Sequence, residues 1–426
     1  MTMHRAIAKT AAETRLAEQF SALRGAAPSL WRDAAFRRFE EAGLPTRRVE
    51  AWHYTDLRAA LASAAPLAKA PDAAAIEAAR RSLASLARAG GTRLVVLDGR
   101  FVAALSDAPP AGVAVVPSAP EAPTFSDVDA MLALNVALTL GGCAITIEPG
   151  RRAPLIEIVH CFSAGAPEAV YSRLAIALGV GARASFFERF VGTGPGAQRH
   201  VSTWISLAPD AKAAHVASIE DGAGLHVESQ VANLAERAEL DAFGFVCGGG
   251  LVRRQVFATL AGEEARIALD GLALIDGRRH ADTTLEVVHA APRGQSRELF
   301  KHIVADEGIG VFQGKVIVRP GAQKTDGAMK SQAILLSPHA AMNNKPELEI
   351  LADDVVCGHG ATVGALDPEQ VFYLQARGLP RNEAEAMLLE AFGAEAIARV
   401  AEPELAEILL SMTRAWLARR AGAAPT

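Results

Sequence analysis

Cys357 and His359 are the residues whose types and spacing best suit metal chemistry. They lie two positions apart in a stretch rich in valine and glycine, so on a β-strand their side chains would project from the same face. A thiolate and an imidazole on one face can bind iron or a nascent iron–sulfur cluster. A buried cysteine near a hydrogen-bonded histidine would show the same spacing. The two residues alone leave both interpretations open.

His280, Asp282 and His289 form a second candidate. His280 and Asp282 share a strand face by the same spacing, and His289 follows nearby, so the three could be metal ligands. Such residues more often fill the turns of a β solenoid. Among the other reactive side chains, we interpret two lysines as solvated or interface charges, Lys315 and Lys324, and three cysteines as core residues, Cys143, Cys161 and Cys247.

The composition argues against several classes of protein. The net charge is −5, whereas nucleic-acid binders are normally basic. Four widely spaced cysteines indicate neither a disulfide framework nor a zinc ribbon and favour a reducing cytosol. No apolar run is long enough for a membrane span, and the sequence contains no P-loop and no Gly-x-Ser-x-Gly motif. The sequence therefore predicts a cytoplasmic protein that acts on neither nucleic acid nor membrane and binds no nucleotide.

The elements that must position these residues repeat along the chain. Between residues 145 and 363, short β-rich runs end in similar turns: an aliphatic residue, a polar turn and usually an alanine. Successive turns are 31, 29, 27, 26 and 58 residues apart, and the last gap is two periods, so a further copy belongs near Val288. Repeats of this length indicate a solenoid, here of stacked β coils. A β-sandwich is the alternative. The turns begin at Ile147, Leu178, Leu207, Leu234, Leu260 and Val318.

The region before the repeats is predicted to be mostly helical. Residues 47–57 are expected to anchor on the body of the protein through Trp52 and Tyr54. Asp98-Gly99 marks a hairpin, because this dipeptide suits a tight turn between two apolar runs. The pattern then indicates a proline-rich linker over 108–123 and a helix over 126–140 capped by Ser126.

Three helices are predicted after the repeats. Asp367 can cap the first, with Pro368 in the first helical position, and Asn382 can cap a second that ends near Gly393. Pro403 can start a third helix with an apolar stripe at helical spacing: Leu405, Ile408, Leu409, Met412, Trp416 and Leu417. We therefore divide the chain into a mostly helical region with a small hairpin and linker over 1–140, a β-helix core over 141–366 and a helical domain over 367–426.

Longer motifs in the second half of the chain resemble the SufD branch of the SufB/SufD family of iron–sulfur cluster assembly scaffolds. The resemblance covers roughly residues 200 to 395 well and the two ends weakly. The motifs are Phe312-Gln-Gly-Lys, Gln323-Lys-Thr-Asp, Lys345-Pro-Glu-Leu-Glu-Ile, Ala352-Asp-Asp-Val, Cys357-Gly-His-Gly-Ala-Thr-Val-Gly, Phe372-Tyr-Leu and Arg377-Gly.

The resemblance implies a right-handed parallel β-helix that pairs with a SufB-like chain and is docked by a SufC-like ABC ATPase. It places His359, as a metal ligand, at the interface between the two scaffold chains, with Cys357 as a second candidate contact to a transient cluster or iron. No stably bound cofactor is implied. ATPase docking is expected on the first two C-terminal helices, around Tyr373, Arg377 and Arg381.

Three alternatives remain open from the sequence. The isolated chain could form a homodimer, or the protein could be a purely structural β-helix dimer without a cluster. A β-helix carbohydrate-active enzyme is the competing class, but it needs paired carboxylates in a cleft. The nearby acidic candidates are Asp353-Asp354 and Glu347 with Glu349. We therefore expect a structural and allosteric role rather than an enzymatic one.

Overall fold

A computed structural model describes residues 8–26, 29–117, 129–139, 141–162, 167–192, 196–220, 222 and 224–422 of the chain. The helices of this part are α1 (Ala11–Ala26), α2 (Leu30–Ala42), α3 (Leu57–Ala60), α4 (Ala73–Ser85), α5 (Ala130–Leu138), α6 (Pro368–Ala376), α7 (Arg381–Ile397) and α8 (Pro403–Gly422). Short 3-10 helices span Glu50–Trp52 and Ala103–Leu105.

The strands lie mainly between the two helical ends. They are β1 (Thr92–Leu97), β2 (Arg100–Phe101), β3 (Val113–Val116), β4 (Gly141–Ile147), β5 (Ile156–Cys161), β6 (Ala169–Leu178), β7 (Arg183–Val191), β8 (Gln198–Leu207), β9 (Lys212–Ile219), β10 (Leu225–Leu234), β11 (Glu239–Val246), β12 (Leu251–Leu260), β13 (Arg266–Ile275), β14 (His280–His289), β15 (Gln295–Val304), β16 (Ile309–Val318), β17 (Asp326–Leu335), β18 (Ala341–Ile350) and β19 (Val356–Gly364).

Successive strands alternate between two sheets. From β4 onward, even-numbered strands build one sheet and odd-numbered strands build the other, and each strand pairs in parallel with the strand two positions along the chain. We call these sheet A (β18-β16-β14-β12-β10-β8-β6-β4-β3) and sheet B (β19-β17-β15-β13-β11-β9-β7-β5-β1-β2). This topology confirms the predicted parallel β solenoid with helices at both ends. The sandwich alternative is wrong, because sandwich sheets are antiparallel.

The repeating turns stack into one column along the solenoid. Five residues other than glycine adopt positive φ values of 53° to 63° in this column, and the backbone N–H of each donates to a carbonyl of the next turn. Arg293 provides the copy expected near Val288, directly after β14. The charges alternate in sign over the first four of these turns, and charged side chains form ion pairs between neighbouring turns. The five are Asp210, Arg237, Glu264, Arg293 and Lys324, and the pairs are Arg237–Asp210 at 2.7 Å, Arg293–Glu264 at 3.1 Å and Lys324–Asp354.

Side chains alternate between the inside and the outside of the coils. Inward residues such as Ile205 and Leu285 form an apolar core between the sheets. The outer face of sheet A packs under the N-terminal helices, where Trp204 is buried, and the outer face of sheet B packs under α7 and α8. The helical ends therefore cover the two broad faces of the solenoid.

The N-terminal region follows the prediction in part. β1 and β2 form the expected hairpin around Asp98-Gly99. The helix expected to start at Ser126 instead begins at Ala130, where the Asp129 carboxylate accepts from two backbone N–H groups. Residues 118–128, including Ser126 and part of the proline-rich linker, lie outside the described residues. The division of the chain at 140 and 366 stays a prediction.

The C-terminal helices begin largely where the sequence indicates. The Asp367 side chain caps α6 and Pro368 opens it, while Pro403 opens α8. The predicted cap at Asn382 is wrong, because α7 starts at Arg381, directly after Pro380. It continues past Gly393, because this glycine packs closely against Leu272 of sheet B. Within the described residues, no helix has both the length and the apolar character needed to cross a membrane.

A buried acid inside the solenoid makes stability depend on pH. Glu298 on β15 points inward and is almost fully buried, and burial raises its pKa to about 8. The folded chain therefore holds a proton that the unfolded chain releases above its ordinary carboxyl pKa. The free energy of unfolding should fall as pH rises from that value to about 8, with the full loss above it.

Glu298→Gln removes this titration. The free energy of unfolding of Glu298→Gln, relative to that of the unmodified protein, should be higher at about pH 9 than at about pH 5. The increase should be on the order of 3 kcal/mol, at ~1.4 kcal/mol per pKa unit. Urea unfolding at both pH values measures the change, with the exposed Glu286→Gln as control. An equal effect of Glu298→Gln at the two pH values would contradict the prediction.

Candidate functional site at the open end of the solenoid

The two ends of the solenoid differ. At the N-terminal end, the antiparallel strands β2 and β3 close sheets B and A. At the other end, β18 and β19 are the outermost strands, and no further strand of the described chain pairs with them. Apolar side chains near this edge are exposed, with Val356 at 73%. An unpaired sheet edge with exposed apolar residues is a ready template for another chain.

Cys357 and His359 lie together on this edge. Both belong to β19, at alternate positions whose side chains face the inside of the solenoid. Cys357 lies next to Gly327 of β17, and His359 lies next to Met329. The Cys357 side chain is half-buried against the interior core, whereas His359 is exposed. The structure thus places both residues on one face of the last strand, as the two-residue spacing indicates.

The electrostatics at Cys357 favour the neutral thiol in the isolated chain. Burial raises the pKa of this thiol, and the carboxylates of Asp326 and Glu298 add to the effect. A metal ion binds the thiolate, so it must displace this proton. A positive charge brought to the edge would therefore strengthen the site.

The edge is an incomplete metal site on its own. No group of three or more His, Cys, Asp or Glu residues in the described ranges is arranged to hold a metal ion. Cys357 and His359 can supply two ligands, whereas iron–sulfur clusters and tetrahedral metal sites usually take four. The remaining ligands would have to come from outside the described chain.

The residues of the second candidate from the sequence do not form one cluster. His280 and Asp282 lie on the outer face of sheet A, where both contact the Thr55 hydroxyl, with His280 Nε2 2.8 Å from Thr55 Oγ1. Asp282 also accepts from Arg253 at 2.6 Å. His289 has the opposite parity on β14 and is buried inside the solenoid. The three side chains therefore do not converge.

The remaining reactive side chains have ordinary surroundings. Lys315 pairs with Glu349 at 2.7 Å and Lys324 pairs with Asp354, so both are surface charges. Cys143 and Cys161 are buried as predicted, whereas Cys247 is half-buried. Burial raises the pKa of the Cys143 and Cys161 thiols to about 12.

A second exposed surface lies on α6 and α7, directly after β19. The Arg377 guanidinium lies over the Tyr373 ring and donates to the Tyr373 hydroxyl at 3.0 Å. Arg381 does not join this pair, since it binds Glu385 at 2.8 Å. Two exposed residues, Phe372 at 72% and Met387 on α7, extend this surface beyond the docking residues predicted from the sequence. The adjacent aromatic pair on a short helix was the signal for Phe372.

Comparisons with known proteins give matches over most of the chain. Residues 160–392 match the family described as "SUF system FeS cluster assembly, SufBD core domain", and residues 22–115 match "SufBD protein N-terminal region". The chain is 34% identical over 364 residues to the iron–sulfur cluster assembly protein SufD of Escherichia coli (strain K12), covering 83% of this chain and 84% of that protein.

Two shorter similarities point the same way. The iron–sulfur cluster assembly SufBD family protein slr0076 of Synechocystis is 32% identical over 197 residues, 46% of this chain and 44% of that protein. The chloroplastic protein ABCI7 of Arabidopsis thaliana is 34% identical over 187 residues, 44% of this chain and 39% of that protein.

Proposed function

The chain belongs to the SufB/SufD family, on the SufD-like side, and from this premise we propose how it acts in iron–sulfur cluster assembly by the SUF system. Its open end pairs with a SufB-like chain, and iron or a nascent cluster is held between the two chains. His359 is a ligand to this cargo, and Cys357 is a second contact. The chain's role is structural and allosteric rather than catalytic, and we place it in the cytosol.

One observation carries this proposal: two candidate ligands lie on an unpaired sheet edge that offers too few ligands by itself. A partner strand beside β19 would bring its own side chains within one strand spacing, about 4.8 Å. The partner would thereby complete both the sheet and the metal site. A second copy of this chain could use the same edges, so we expect the isolated protein to dimerise at high concentration.

His359→Ala should leave the fold intact but lower cluster formation by the reconstituted complex by at least about tenfold, a loss typical when a group that supports a metal site is removed. The fold should survive because the His359 side chain is exposed. Cluster formation is followed by its visible absorbance, and folding by far-UV circular dichroism.

His339→Ala is the matched control, because His339 is exposed but lies on a turn before β18. Cys357→Ser tests the neighbouring contact. Normal cluster formation in both the His359→Ala and Cys357→Ser variants would leave the edge with a purely structural role.

We further place the docking of a SufC-like ABC ATPase on α6 and α7. The exposed aromatic residues and cations there provide the kind of anchors that dominate protein interfaces. Deleting residues 367–426 would be a poor test, because α7 and α8 cover the apolar outer face of sheet B. Point variants avoid this problem.

Arg377→Ala and Tyr373→Ala should each weaken ATPase binding about 30-fold, since a good anchor is worth about 2 kcal/mol and ~1.4 kcal/mol is tenfold. Arg381→Ala should have a smaller effect, because Arg381 is paired within its own helix. Calorimetric titration of the purified ATPase measures the affinities. Arg81→Ala, an exposed change on α4, should leave them unchanged, and equal affinities for all variants would refute the docking site.

A further inference from the structure

A segment of the N-terminal region crosses the outer face of sheet A. We call residues 47–56 the strap. The Thr55 hydroxyl contacts β14, and the Ala51 carbonyl accepts from Arg253 of β12 at 2.6 Å and from Gln313 of β16 at 3.0 Å. Glu50 reaches Lys345 of β18 at 2.8 Å. The strap therefore spans four neighbouring strands and ends at the open edge.

These contacts hold the strap rigidly. Trp52 is fully buried, its indole N–H donates to Asp129 at 2.8 Å, and the Arg253 guanidinium lies 4.2 Å from its ring. Backbone, hydroxyl and indole groups are thus all engaged with the body of the protein. The exposed strap residues are consequently fixed in position, which lowers the entropy lost when a partner binds them.

The exposed strap residues lie beside the edge of sheet A. The Glu50 side chain is 80% exposed although it pairs with Lys345, and Val49 and His53 are exposed close by in the chain. A strand added to β18 would lie about 4.8 Å beyond it. Its outward side chains near Lys345 would then meet the strap.

We propose that the strap is part of the partner interface and contacts the chain that pairs with the open end. Val49 provides an apolar contact, and Glu50 binds a cationic or hydrogen-bond donor group of the partner, next to the strand that pairs with β18. This inference rests on the proposed pairing at the open end. It adds a surface contributed by the N-terminal region, outside the two edge strands.

Limited trypsin digestion of the unmodified protein tests the proposal. Arg47-Arg48 is an exposed dibasic site on the strap, and Arg278-Arg279 in the turn between β13 and β14 is an internal control. With a saturating, purified SufB-family chain, cleavage at the strap should slow by about fivefold or more because the site is covered. Cleavage at the control site should not change.

Hydrogen exchange over residues 356–364 separates the two ways of failing. Protection of this strand with unchanged strap cleavage would overturn the strap proposal and leave the pairing intact. If residues 356–364 gain no protection and cleavage at the strap is unchanged, the pairing is overturned, and the strap proposal with it. As a second measurement, Glu50→Gln should weaken partner binding roughly threefold to tenfold, whereas Glu77→Gln on α4 should have no effect.

Discussion

Arg253→Met should destabilise the protein by about 3–5 kcal/mol, because it leaves a buried charge without its partner. Arg253 and Asp282 are both fully buried, and their side chains meet at 2.6 Å on the outer face of sheet A. The same guanidinium holds the Ala51 carbonyl and covers Trp52. Its loss would thus loosen the attachment of the N-terminal region as well as expose Asp282 to an apolar surface.

A double-mutant cycle measures the coupling. Asp282→Asn alone should also be destabilising, but Arg253→Met combined with Asp282→Asn should cost less than the sum, since neither charge is then stranded. Chemical denaturation monitored by far-UV circular dichroism measures the free energy of unfolding of each variant. Additive single effects, or a loss below about 1 kcal/mol for Arg253→Met, would show that the pair does not hold the strap.

Trp416→Ala should destabilise the protein by a similar amount, about 3–5 kcal/mol, through the cavity it leaves. Trp416 is fully buried between α8 and sheet B, within the cluster that includes Leu405 and Leu409. Thermal unfolding gives the measurement. The exposed Met387→Ala on α7 is the control and should change stability by less than about 0.5 kcal/mol.

A conservative substitution distinguishes packing from polar effects at this position. The Trp416 indole N–H has no hydrogen-bond acceptor among the described residues. Trp416→Phe keeps most of the apolar contact and should cost about 1 kcal/mol. If Trp416→Phe were as damaging as Trp416→Ala, ring size or the indole N–H, rather than general apolar burial, would be responsible.

The periodic parts of the fold could be predicted from the sequence because their signals are local. The turn repeat predicted a coil even near Val288, where the residues match the repeat least. It could do so because stacked coils have nearly equal numbers of residues. The apolar stripe from Leu405 to Trp416 predicted the buried face of α8, because residues at helical spacing share one face. The spacing of Cys357 and His359 likewise predicted their common face.

Contacts between distant segments left no such signal. The strap meets residues about 200 to 300 positions further along the chain, and nothing near Ala51 indicates that Arg253 and Gln313 will bind its carbonyl. His280 and His289 look like neighbours in sequence, yet they lie on opposite faces of β14. Because an odd number of positions separates them, a strand must place them on opposite faces. Only the position of the core showed which of the two faces is inside.

The charges in the column of turns also help the solenoid to avoid misfolding. Near-identical coils invite a chain to skip one coil during folding, because the skipped register makes similar hydrogen bonds. Skipping would stack Asp210 on Glu264, or Arg237 on Arg293, and so place like charges against each other. Each exposed pair is worth only about 0.2–1 kcal/mol, but the repulsion opposes the loss of either the Arg237 coil or the Glu264 coil. The charge signs from Asp210 to Arg293 therefore mark the order of these four coils, a role that a column of glycines could not fill.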